Sequence, residues 1–467
     1  MLVTWRISFP TSYCRLGLLS GRSIEVAMDQ KKSSMATYVL LIVIVTWVST
    51  SQASKFDFPA HIVGVNYSAL DDLEPYMRFK KVDLGVDILD DAAPLHIRKA
   101  LADATLSDDP AINQLQFPVG YPRFLEAVAR FYSPLVGHDL VPGKNVFATI
   151  GATGAVYDAF QGHTSPGDEW IVIQPAYTMY LPMIQLARGV PRFTNLKLAK
   201  KSGQITGEDW VIDREQMESL FNNKTKGILL NNPLNPLGKV YTLDELEFIA
   251  GLAKKYNTLV ISDEAHEWIA HKPHIRIASL PGMWERTITI GSSSKSFSVA
   301  GFRVGWAYGP ANILNHLKTI HKKTSETAPT PQQAALAFGF EQEYRDFGKP
   351  DSFFAVHNRE VQAKRDFMVK VLEKVGLRPI VPGGGYCLTL DWTTLRGKPL
   401  VKTEDASMEF SKWLLSKAGV VVLPLSSFYA DGYKHLGDNY SRLCYHKSDK
   451  TLKKAEEQLQ KLLQYRY

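Results

Sequence analysis

Short apolar runs alternate with helical stretches along the middle of the chain. Five runs rich in apolar and β-branched residues are candidate strands, at residues 169–175, 226–233, 258–264, 286–294 and 302–309. Between two of them, apolar residues recur at helical spacing after the capping sequence Thr242-Leu-Asp-Glu245, which predicts a helix over residues 243–256. Nearly continuous apolar strands separated by helices indicate an α/β fold, with a mostly parallel sheet covered by helices on both faces.

The C-terminal part of the chain follows a different pattern. A stretch around residues 355–375 whose pattern predicts a helix precedes the run VPGGGYCLTLDW. Two further helices are predicted near residues 405–418 and over residues 449–465, and the short apolar run VVVLP lies between them. This mixture of elements predicts a smaller α+β unit.

A break in the pattern suggests where the domains meet. At 467 residues the chain is too long for one compact core. The sequence GKPDS interrupts the alternation near residues 345–350. We therefore predict a large domain at residues 95–348, a small C-terminal domain at residues 349–467, and an N-terminal arm, residues 54–94, that belongs to the small domain.

Residues 1–53 have the composition of a targeting segment. Two lysines precede an apolar run at residues 38–48, and small or polar residues follow as far as Ser54. This order is typical of a secretory signal, so residues 28–53 predict secretion with cleavage before Ser54. The run is shorter than the roughly twenty residues that span a membrane, so a membrane anchor is the weaker alternative.

The stretch before this signal allows a second location. Residues 1–27 hold three arginines and a single acidic residue, which is also the composition of a mitochondrial presequence. Translation from Met28 or Met35 instead of Met1 would leave a signal of normal length. Secretion is the main expectation and a mitochondrial location is the alternative.

Composition argues against several classes of function. The formal net charge of +7 is spread along the chain without a basic stripe, so we expect no nucleic-acid partner. Three cysteines cannot form a disulfide framework, and once Cys14 is removed with the targeting segment, Cys387 and Cys444 could be free thiols. The spacing of the three histidines within residues 266–274 matches no common ligand pattern, so we expect no metal site.

Polar residues lie at the carboxyl ends of the predicted strands. The glycine turn Gly151-Ala-Thr-Gly154 opens helical text, as in an anion-binding helix N-terminus. Asn235, Asp263 and Lys295 lie at the ends of other strands, and Arg303 follows in the run GSSSKSFSVAGFRVGW. Singly, each suits an ordinary turn, a helix cap or a solvated side chain. Ligands of α/β sheets bind beyond the carboxyl ends of strands, so together these residues predict one anion-binding site with a reactive lysine.

Four segments resemble those of one enzyme family: NPLNPLGKV, SDEAHEW, IASLPGMWERTITIGSSSKSFSVAGFRVGWAYGP and YSRLCYHK. They are similar to segments of the fold type I pyridoxal-phosphate enzymes, specifically the class I/II aminotransferases, and closest to the kynurenine aminotransferase and cysteine-conjugate β-lyase branch. The resemblance implies a homodimer with pyridoxal 5'-phosphate as cofactor. It also implies transfer of an amino group from an aromatic or sulfur-containing, kynurenine-like L-amino acid to a 2-oxo acid through a Lys295 aldimine.

The same resemblance implies roles for individual residues. Lys295 would be the catalytic lysine, and Asp263 the carboxylate that faces the pyridine nitrogen. Arg442 would fork the substrate α-carboxylate, with Asn235 and Asp87 also on the substrate side. The other cofactor-binding residues implied are Ala152, Thr153, Ser292 and Arg303 for the phosphate, Tyr177 for the ring face, and Asn235 and His266 for the ring oxygen.

Three positions depart from the family's pattern. His266 stands where the family usually has a tyrosine, and imidazole titrates near neutral pH. Leu115 stands where a tyrosine often reaches the phosphate of the neighbouring subunit. In LGVDILDD, Asp87 stands where a small residue is usual, and its carboxylate would repel an acidic substrate or recruit a cationic group.

These departures leave other functions open. The same lysine, aspartate and arginine serve carbon–sulfur β-elimination, or a reaction like that of aminocyclopropane-carboxylate synthase. A secreted relative that binds amino acids or the cofactor without turnover is a further alternative.

Overall fold

The computed structural model describes residues 13–17, 23–27, 68–115, 119–200, 202–395 and 405–465. Strands β1 (Tyr13–Gly17) and β2 (Ser23–Ala27) pair antiparallel and belong to the first of two units of the chain, and residues 64–467 belong to the second unit. The signal-like segment at residues 28–53 lies outside the described residues, as does the start of the predicted arm.

The second unit alternates strands and helices along most of its length. Its strands are β3 (Val82–Asp83), β4 (Val146–Thr149), β5 (Glu169–Gln174), β6 (Val190–Asn195), β7 (Lys197–Leu198), β8 (Ile205–Thr206), β9 (Trp210–Val211), β10 (Thr225–Asn231), β11 (Leu259–Asp263), β12 (Thr287–Ser292), β13 (Gly305–Tyr308), β14 (Arg378–Val381), β15 (Cys387–Asp391), β16 (Val420–Val421), β17 (Leu423–Pro424) and β18 (Tyr440–Cys444). Its α-helices are α1 (Ala69–Leu73), α2 (Leu95–Thr105), α3 (Pro110–Asn113), α4 (Pro122–Val136), α5 (Gly151–His163), α6 (Tyr180–Leu186), α7 (Arg214–Ser219), α8 (Leu243–Lys255), α9 (Ser293–Ser296), α10 (Ala311–Thr324), α11 (Thr330–Asp346), α12 (Phe353–Lys374), α13 (Ala406–Ala418) and α14 (Asp449–Leu459).

The large sheet contains all five predicted strands. Its order is β4-β13-β12-β11-β10-β5-β6, and only β13 runs against its neighbours, so the prediction of a mostly parallel sheet is confirmed. Strand β13 begins later than predicted because a 3-10 turn at Ala300–Phe302 and a left-handed Arg303 (φ 54°) precede it.

Helices cover both faces of the large sheet. Along β10, Ile228 and Leu230 pack into a core that includes Leu246 of α8, whereas Leu229 packs on the other face with Ala159 of α5. Successive side chains of a strand point to opposite faces, so a strand that is apolar at every position must be buried on both. The expected layered α/β architecture is therefore confirmed.

The C-terminal elements surround a second sheet of order β17-β18-β15-β14-β8. Helices α12, α13 and α14 contribute buried residues to its core, which includes Met368, Leu414 and Leu452. All three were predicted, although the last turns from α-helix to 3-10 helix at Gln460. The domain boundary near residue 348 stays a prediction. In the part of the chain that the structure describes, no helix combines the length and apolarity that a membrane span requires.

Cys387 and Cys444 form a disulfide. They stand opposite each other on β15 and β18, with Cα atoms 3.8 Å apart. The suggestion that the two cysteines could be free thiols is therefore wrong. They are 57 positions apart in the sequence, which gave no sign that two antiparallel strands would bring them into register.

Candidate active site

The carboxyl ends of three adjacent strands carry the polar residues of the site. Asn231 and Asp263 are in register at the ends of β10 and β11. Ser292 ends β12, is 5% exposed, and is followed directly by the short helix α9, which carries Lys295. Parallel strands bring these ends to one edge of the sheet, where ligands of this fold class bind.

Lys295 contacts an acidic group from a distant loop. Its Nζ lies 2.5 Å from Asp87 Oδ2 and 3.4 Å from the Asp87 carbonyl oxygen. The Nζ also lies 4.9 Å from the ring centre of Tyr386, whose hydroxyl donates a 2.8 Å hydrogen bond to the Lys295 carbonyl. The cationic group that the Asp87 carboxylate was predicted to recruit is therefore Lys295 of the same chain.

His266 is the third member of this group. Its Nε2 lies 3.9 Å from Asp87 Oδ2, it is 6% exposed, and neither ring nitrogen has a hydrogen-bond partner. Burial alone would raise the pKa of Asp87, but Lys295 and His266 outweigh burial and hold that pKa well below its usual range. Asp87 is therefore a carboxylate anion at neutral pH.

Asp263 occupies a buried position at the end of β11. Burial raises the pKa of its carboxyl, although a 2.6 Å hydrogen bond donated by the Tyr180 hydroxyl and one donated by the Ala265 amide act in the opposite direction. The sequence analysis missed Tyr180. Its position three residues after Tyr177 in QPAYTMY, at the start of α6, was the available signal.

Arg303 lies at the N-terminus of α5. A side-chain Cβ at Gly151 would come within 3.2 Å of Arg303 Nη2, and Gly151 has a left-handed φ of +65°, so glycine is required there. Ala152 and Thr153 follow Gly151 in the first turn of α5. Unpaired N–H groups and a cation together form a site for an anion.

Arg442 lies on β18 and is 4% exposed. Its Nη1 donates to Asn235 Oδ1 (3.2 Å) and its Nη2 to the Gly85 carbonyl (2.5 Å), whereas its Nε has no partner. Burial lowers the pKa of Arg442, and Asp87 and Tyr177 act against that shift. A guanidinium usually stays ionised in proteins, so this arginine presents a charge with unused donor capacity.

Tyr177 lies among the charged residues of the site. Its ring centre is 5.4 Å from that of Tyr180, in an edge-on arrangement. Burial raises the pKa of Tyr177, with Asp87 and Asp263 raising it further and Arg442 lowering it. These contacts link most of the predicted site residues, namely Asp87, Tyr177, Asn235, Asp263, His266, Lys295, Arg303 and Arg442. Leu115, which departs from the family's pattern, is 76% exposed.

The site has further residues that the sequence analysis did not single out. His357 Nε2 lies 3.1 Å from the Tyr386 hydroxyl, and the ring of His446 lies 4.1 Å from that of Tyr386. Burial lowers the pKa of both histidines, that of His357 to about 4. Both are therefore neutral imidazoles at pH 7. His446 belongs to the segment YSRLCYHK, which was the only signal for it.

Comparisons with known proteins agree with this geometry. Residues 80–459 match the model of the family "Aminotransferase class I and II". Kynurenine–oxoglutarate transaminase 1 of Mus musculus is 38% identical over 403 residues, 83% of this chain and 95% of that protein. Kynurenine–oxoglutarate transaminase 3 of the same organism is 39% identical over 381 residues, 80% of this chain and 83% of that protein.

Solved structures give the same answer. A putative kynurenine aminotransferase from Saccharomyces cerevisiae superimposes with a TM-score of 0.81 at 26% identity, covering 88% of this chain and 99% of that one. N-succinyldiaminopimelate aminotransferase from Mycobacterium tuberculosis superimposes with a TM-score of 0.76 at 27% identity, covering 87% and 100%. The chain is therefore an aminotransferase and belongs to the class I and II family, with the fold type I architecture.

Proposed function

We propose that the protein moves the amino group of an aromatic or sulfur-containing L-amino acid to a 2-oxo acid, with pyridoxal phosphate attached at Lys295. The family implies dependence on this cofactor. The names of the transaminases that resemble the chain support a kynurenine-like donor. The observation that carries the proposal is the convergence of Lys295, Asp263 and Arg442. Lys295 and Arg442 both interact with Asp87, and Asp263 and Arg442 both interact with Tyr177.

The residues at the phosphate end fit the cofactor. Arg303, Ser292, Thr153 and the backbone of Ala152 would hold the phosphate at the N-terminus of α5. The absent side chain at Gly151 leaves room beside the Arg303 guanidinium. Cationic and N–H donors around a space that a Cβ would fill form a suitable phosphate cradle.

The residues at the ring end also fit. Burial raises the pKa of Asp263, and a protonated ring nitrogen opposite would keep this carboxyl ionised. Tyr177 would cover the ring face, and Asn235 would donate to the ring oxygen. His266 has two buried ring nitrogens without a partner, so its imidazole is available to the same oxygen.

The chain's own residues divide the chemical work. When bound, the cofactor supplies an electron sink for the electrons released at the substrate Cα. Lys295 Nζ would take the Cα proton and return it at the acceptor carbon. Arg442 would fix the α-carboxylate by two parallel hydrogen bonds and so place the Cα proton within reach of the amine.

An amino-donor screen tests this proposal. The cofactor-loaded protein is incubated with single amino acids and a 2-oxo acid, and the products are identified by mass spectrometry. We expect the oxo acid of an aromatic or sulfur-containing donor and the aminated acceptor in equal amounts. Ammonia and pyruvate from a cysteine conjugate would instead establish β-elimination, and binding without either product a non-catalytic role.

We also propose that the protein enters the secretory pathway. The signal-like segment supports this, and so does the Cys387–Cys444 disulfide, because disulfides persist mainly in oxidising compartments. Expression in cultured cells, with N-terminal sequencing of the product, tests the idea. We expect a secreted protein that begins at Ser54; recovery from mitochondria would support the alternative location instead.

We propose a homodimer as the assembly. Four apolar side chains, Ile88, Leu95, Leu106 and Leu115, are 55% or more exposed. They fall within residues 88–115, close in sequence to Asp87, and a second copy would remove them from water. Sedimentation equilibrium is expected to give twice the mass of one chain, and a monomer at micromolar concentration would contradict the proposal.

A further inference from the structure

Asp87 adds a negative charge beside the groups that would receive the substrate. It contacts Lys295 Nζ at 2.5 Å, and its charge also acts on Arg442, the arginine that would fork the α-carboxylate. Its side chain is 17% exposed, so water screens it only in part. Any further carboxylate in this space must approach a fixed anion.

Hydrogen bonds hold the loop that carries Asp87 in place on both sides of that residue. Lys447 Nζ donates to the carbonyls of Val86 and Ile88, the two neighbours of Asp87. On the C-terminal side of the loop, Asp90 accepts hydrogen bonds from the Ser448 amide (2.6 Å) and from Thr451. Asp87 is therefore held in the site by its anchored neighbours, and movement of the loop would break these bonds.

The described residues supply no spare cation for a second carboxylate. Two lysines, one arginine and one histidine interact with the charge of Asp87, namely Lys295, Lys447, Arg442 and His266. His266 is assigned above to the ring oxygen of the cofactor. Lys295 is required by the cofactor, Arg442 by the α-carboxylate, and Lys447 by two backbone carbonyls. Burial keeps His446 neutral. A substrate with two carboxylates would therefore leave one of them facing Asp87 without a partner.

We propose that Asp87 is the specificity-determining residue that restricts this site to substrates with a single carboxylate, so that monocarboxylic 2-oxo acids are its acceptors. This inference rests on the proposed function and narrows it. It also distinguishes the chain from the relatives named for oxoglutarate, a dicarboxylic acceptor. Like charges that meet in a partly buried site cost far more than in water.

The test compares two acceptors of equal length, 2-oxopentanoate and 2-oxoglutarate, which differ only in the terminal carboxylate. We expect the cofactor-loaded protein to show a higher kcat/KM with 2-oxopentanoate. In Asp87→Asn the ratio of the two kcat/KM values should fall roughly tenfold to a hundredfold, as expected for the removal of a like charge about 5–8 Å away. Asp87→Gly, which removes the side chain altogether, should reproduce the change.

A matched control removes a charge from the same loop outside the site. Asp91 is half exposed and pairs with Lys364 at 3.1 Å, so Asp91→Asn should leave the acceptor ratio unchanged. Equal use of both acceptors by the unmodified protein, or an unchanged ratio in both Asp87 variants, would overturn the inference.

A binding measurement separates this inference from the proposed function. Pentanoate and glutarate are unreactive, and calorimetry on the cofactor-loaded protein gives their affinities without turnover. We expect pentanoate to bind more tightly, and Asp87→Asn to reduce the difference. If no acceptor is aminated but this preference holds, the proposed function fails and the charge selection stands; tighter binding of glutarate to the unmodified protein would reject the selection itself.

Discussion

Two groups of buried or partly buried charges each include a residue that interacts with Asp263, and they differ in how their basic residues are paired. The first, the Glu267 cluster, consists of Glu264, Glu267, His274 and Arg276. The second, the Lys295 cluster, consists of Asp87, His266 and Lys295. Both bring acidic and basic residues together out of water, which is costly unless the charges find partners.

In the Glu267 cluster every carboxylate oxygen has a partner. The Glu264 oxygens contact the Ser262 hydroxyl (2.9 Å) and His274 Nε2 (3.0 Å). The Glu267 oxygens contact the Tyr132 hydroxyl (2.5 Å) and Arg276 Nη2. His274 Nδ1 and Arg276 Nε have no hydrogen bond, but both acids of the cluster are fully paired, and paired buried carboxylates help to fix a conformation. We interpret this cluster as structural.

The Lys295 cluster contains groups without partners. Both nitrogens of His266 lack a hydrogen bond, as does Nε of the nearby Arg442. Unsatisfied buried polar atoms in a native protein require an explanation, and a ligand is one at the carboxyl edge of an α/β sheet, where ligands of this fold class bind. Unpaired nitrogens therefore occur in both clusters, and the difference lies in the basic residues as a whole: His274 and Arg276 each keep a hydrogen bond to a carboxylate, whereas His266 makes none.

The largest expected effect follows from removal of the lysine in the second cluster. Lys295→Ala deletes both the attachment point of the cofactor and the group that moves the Cα proton. We expect kcat for aminotransfer to fall at least about 1,000-fold, since proton transfer by a positioned group alone contributes about 100- to 10,000-fold. Steady-state kinetics measure this loss, and circular dichroism should show an unchanged fold.

Removal of Arg276, the arginine of the Glu267 cluster, should lower the free energy of unfolding. Arg276→Met leaves the buried Glu267 carboxylate without its positive partner, and breaking a buried pair in this way costs about 3–5 kcal/mol. Urea denaturation measures the change. Arg123→Met, which breaks the exposed pair with Glu341, should cost less than about 1 kcal/mol. Equal losses in the two variants would contradict the structural interpretation of the Glu267 cluster.

A conservative substitution of Arg442, on the substrate side of the site, should reduce kcat/KM for the amino acid to an intermediate extent. Arg442→Lys keeps the charge but loses the planar fork that holds a carboxylate by two hydrogen bonds. We expect kcat/KM for the amino acid to fall roughly tenfold to a hundredfold, in line with the loss of one charge-assisted hydrogen bond. A variant that matches the unmodified enzyme would show that Arg442 does not bind the α-carboxylate.

The smallest effect concerns the pH dependence of folding without the cofactor. The folded-state pKa of Asp87 is lowered, so its contribution to stability is present above its unfolded pKa, about 4, and is lost as the pH falls through the folded value. Asp87→Asn should lower the unfolding free energy by about 1–2 kcal/mol at pH 7 and by less below pH 4.

The folded-state pKa of Asp263 is shifted in the opposite direction to that of Asp87, so Asp263 serves as the comparison. Its folded-state pKa is raised, so its contribution to stability decreases as the pH rises above the unfolded value. Without the cofactor, Asp263→Asn should therefore be relatively more stable at pH 7 than at pH 3. Chemical denaturation across pH 3–8 measures both variants, and a constant difference across that range would contradict either assignment.

Local patterns were enough to predict most of the fold and the positions of the strand-end residues. Asp263 and Lys295 adjoin strands whose apolar runs are continuous in sequence, so the edge of the sheet that they share could be inferred. The contact between Asp87 and Lys295 could not, because it joins residues 208 positions apart. It depends on a loop that Lys447 anchors from near the C-terminus.

The disulfide and the pairing within the Glu267 cluster show the same limit. Cys387 and Cys444 meet because β15 and β18 are adjacent and in register, a property of the second sheet as a whole. Arg276 pairs with Glu267 across a turn whose sequence shows no apolar periodicity, so this contact could not be predicted. Sequence periodicity predicts elements, whereas these partners depend on how separate elements are packed together.

The most direct test of the account is the identity of the amine that carries the cofactor. The loaded protein is reduced with borohydride, digested, and its peptides are mapped by mass spectrometry. We predict a pyridoxyl group on the peptide that contains Lys295. A label on Lys447, the other lysine whose charge interacts with Asp87, or no label on any lysine, would contradict the assignment of this site.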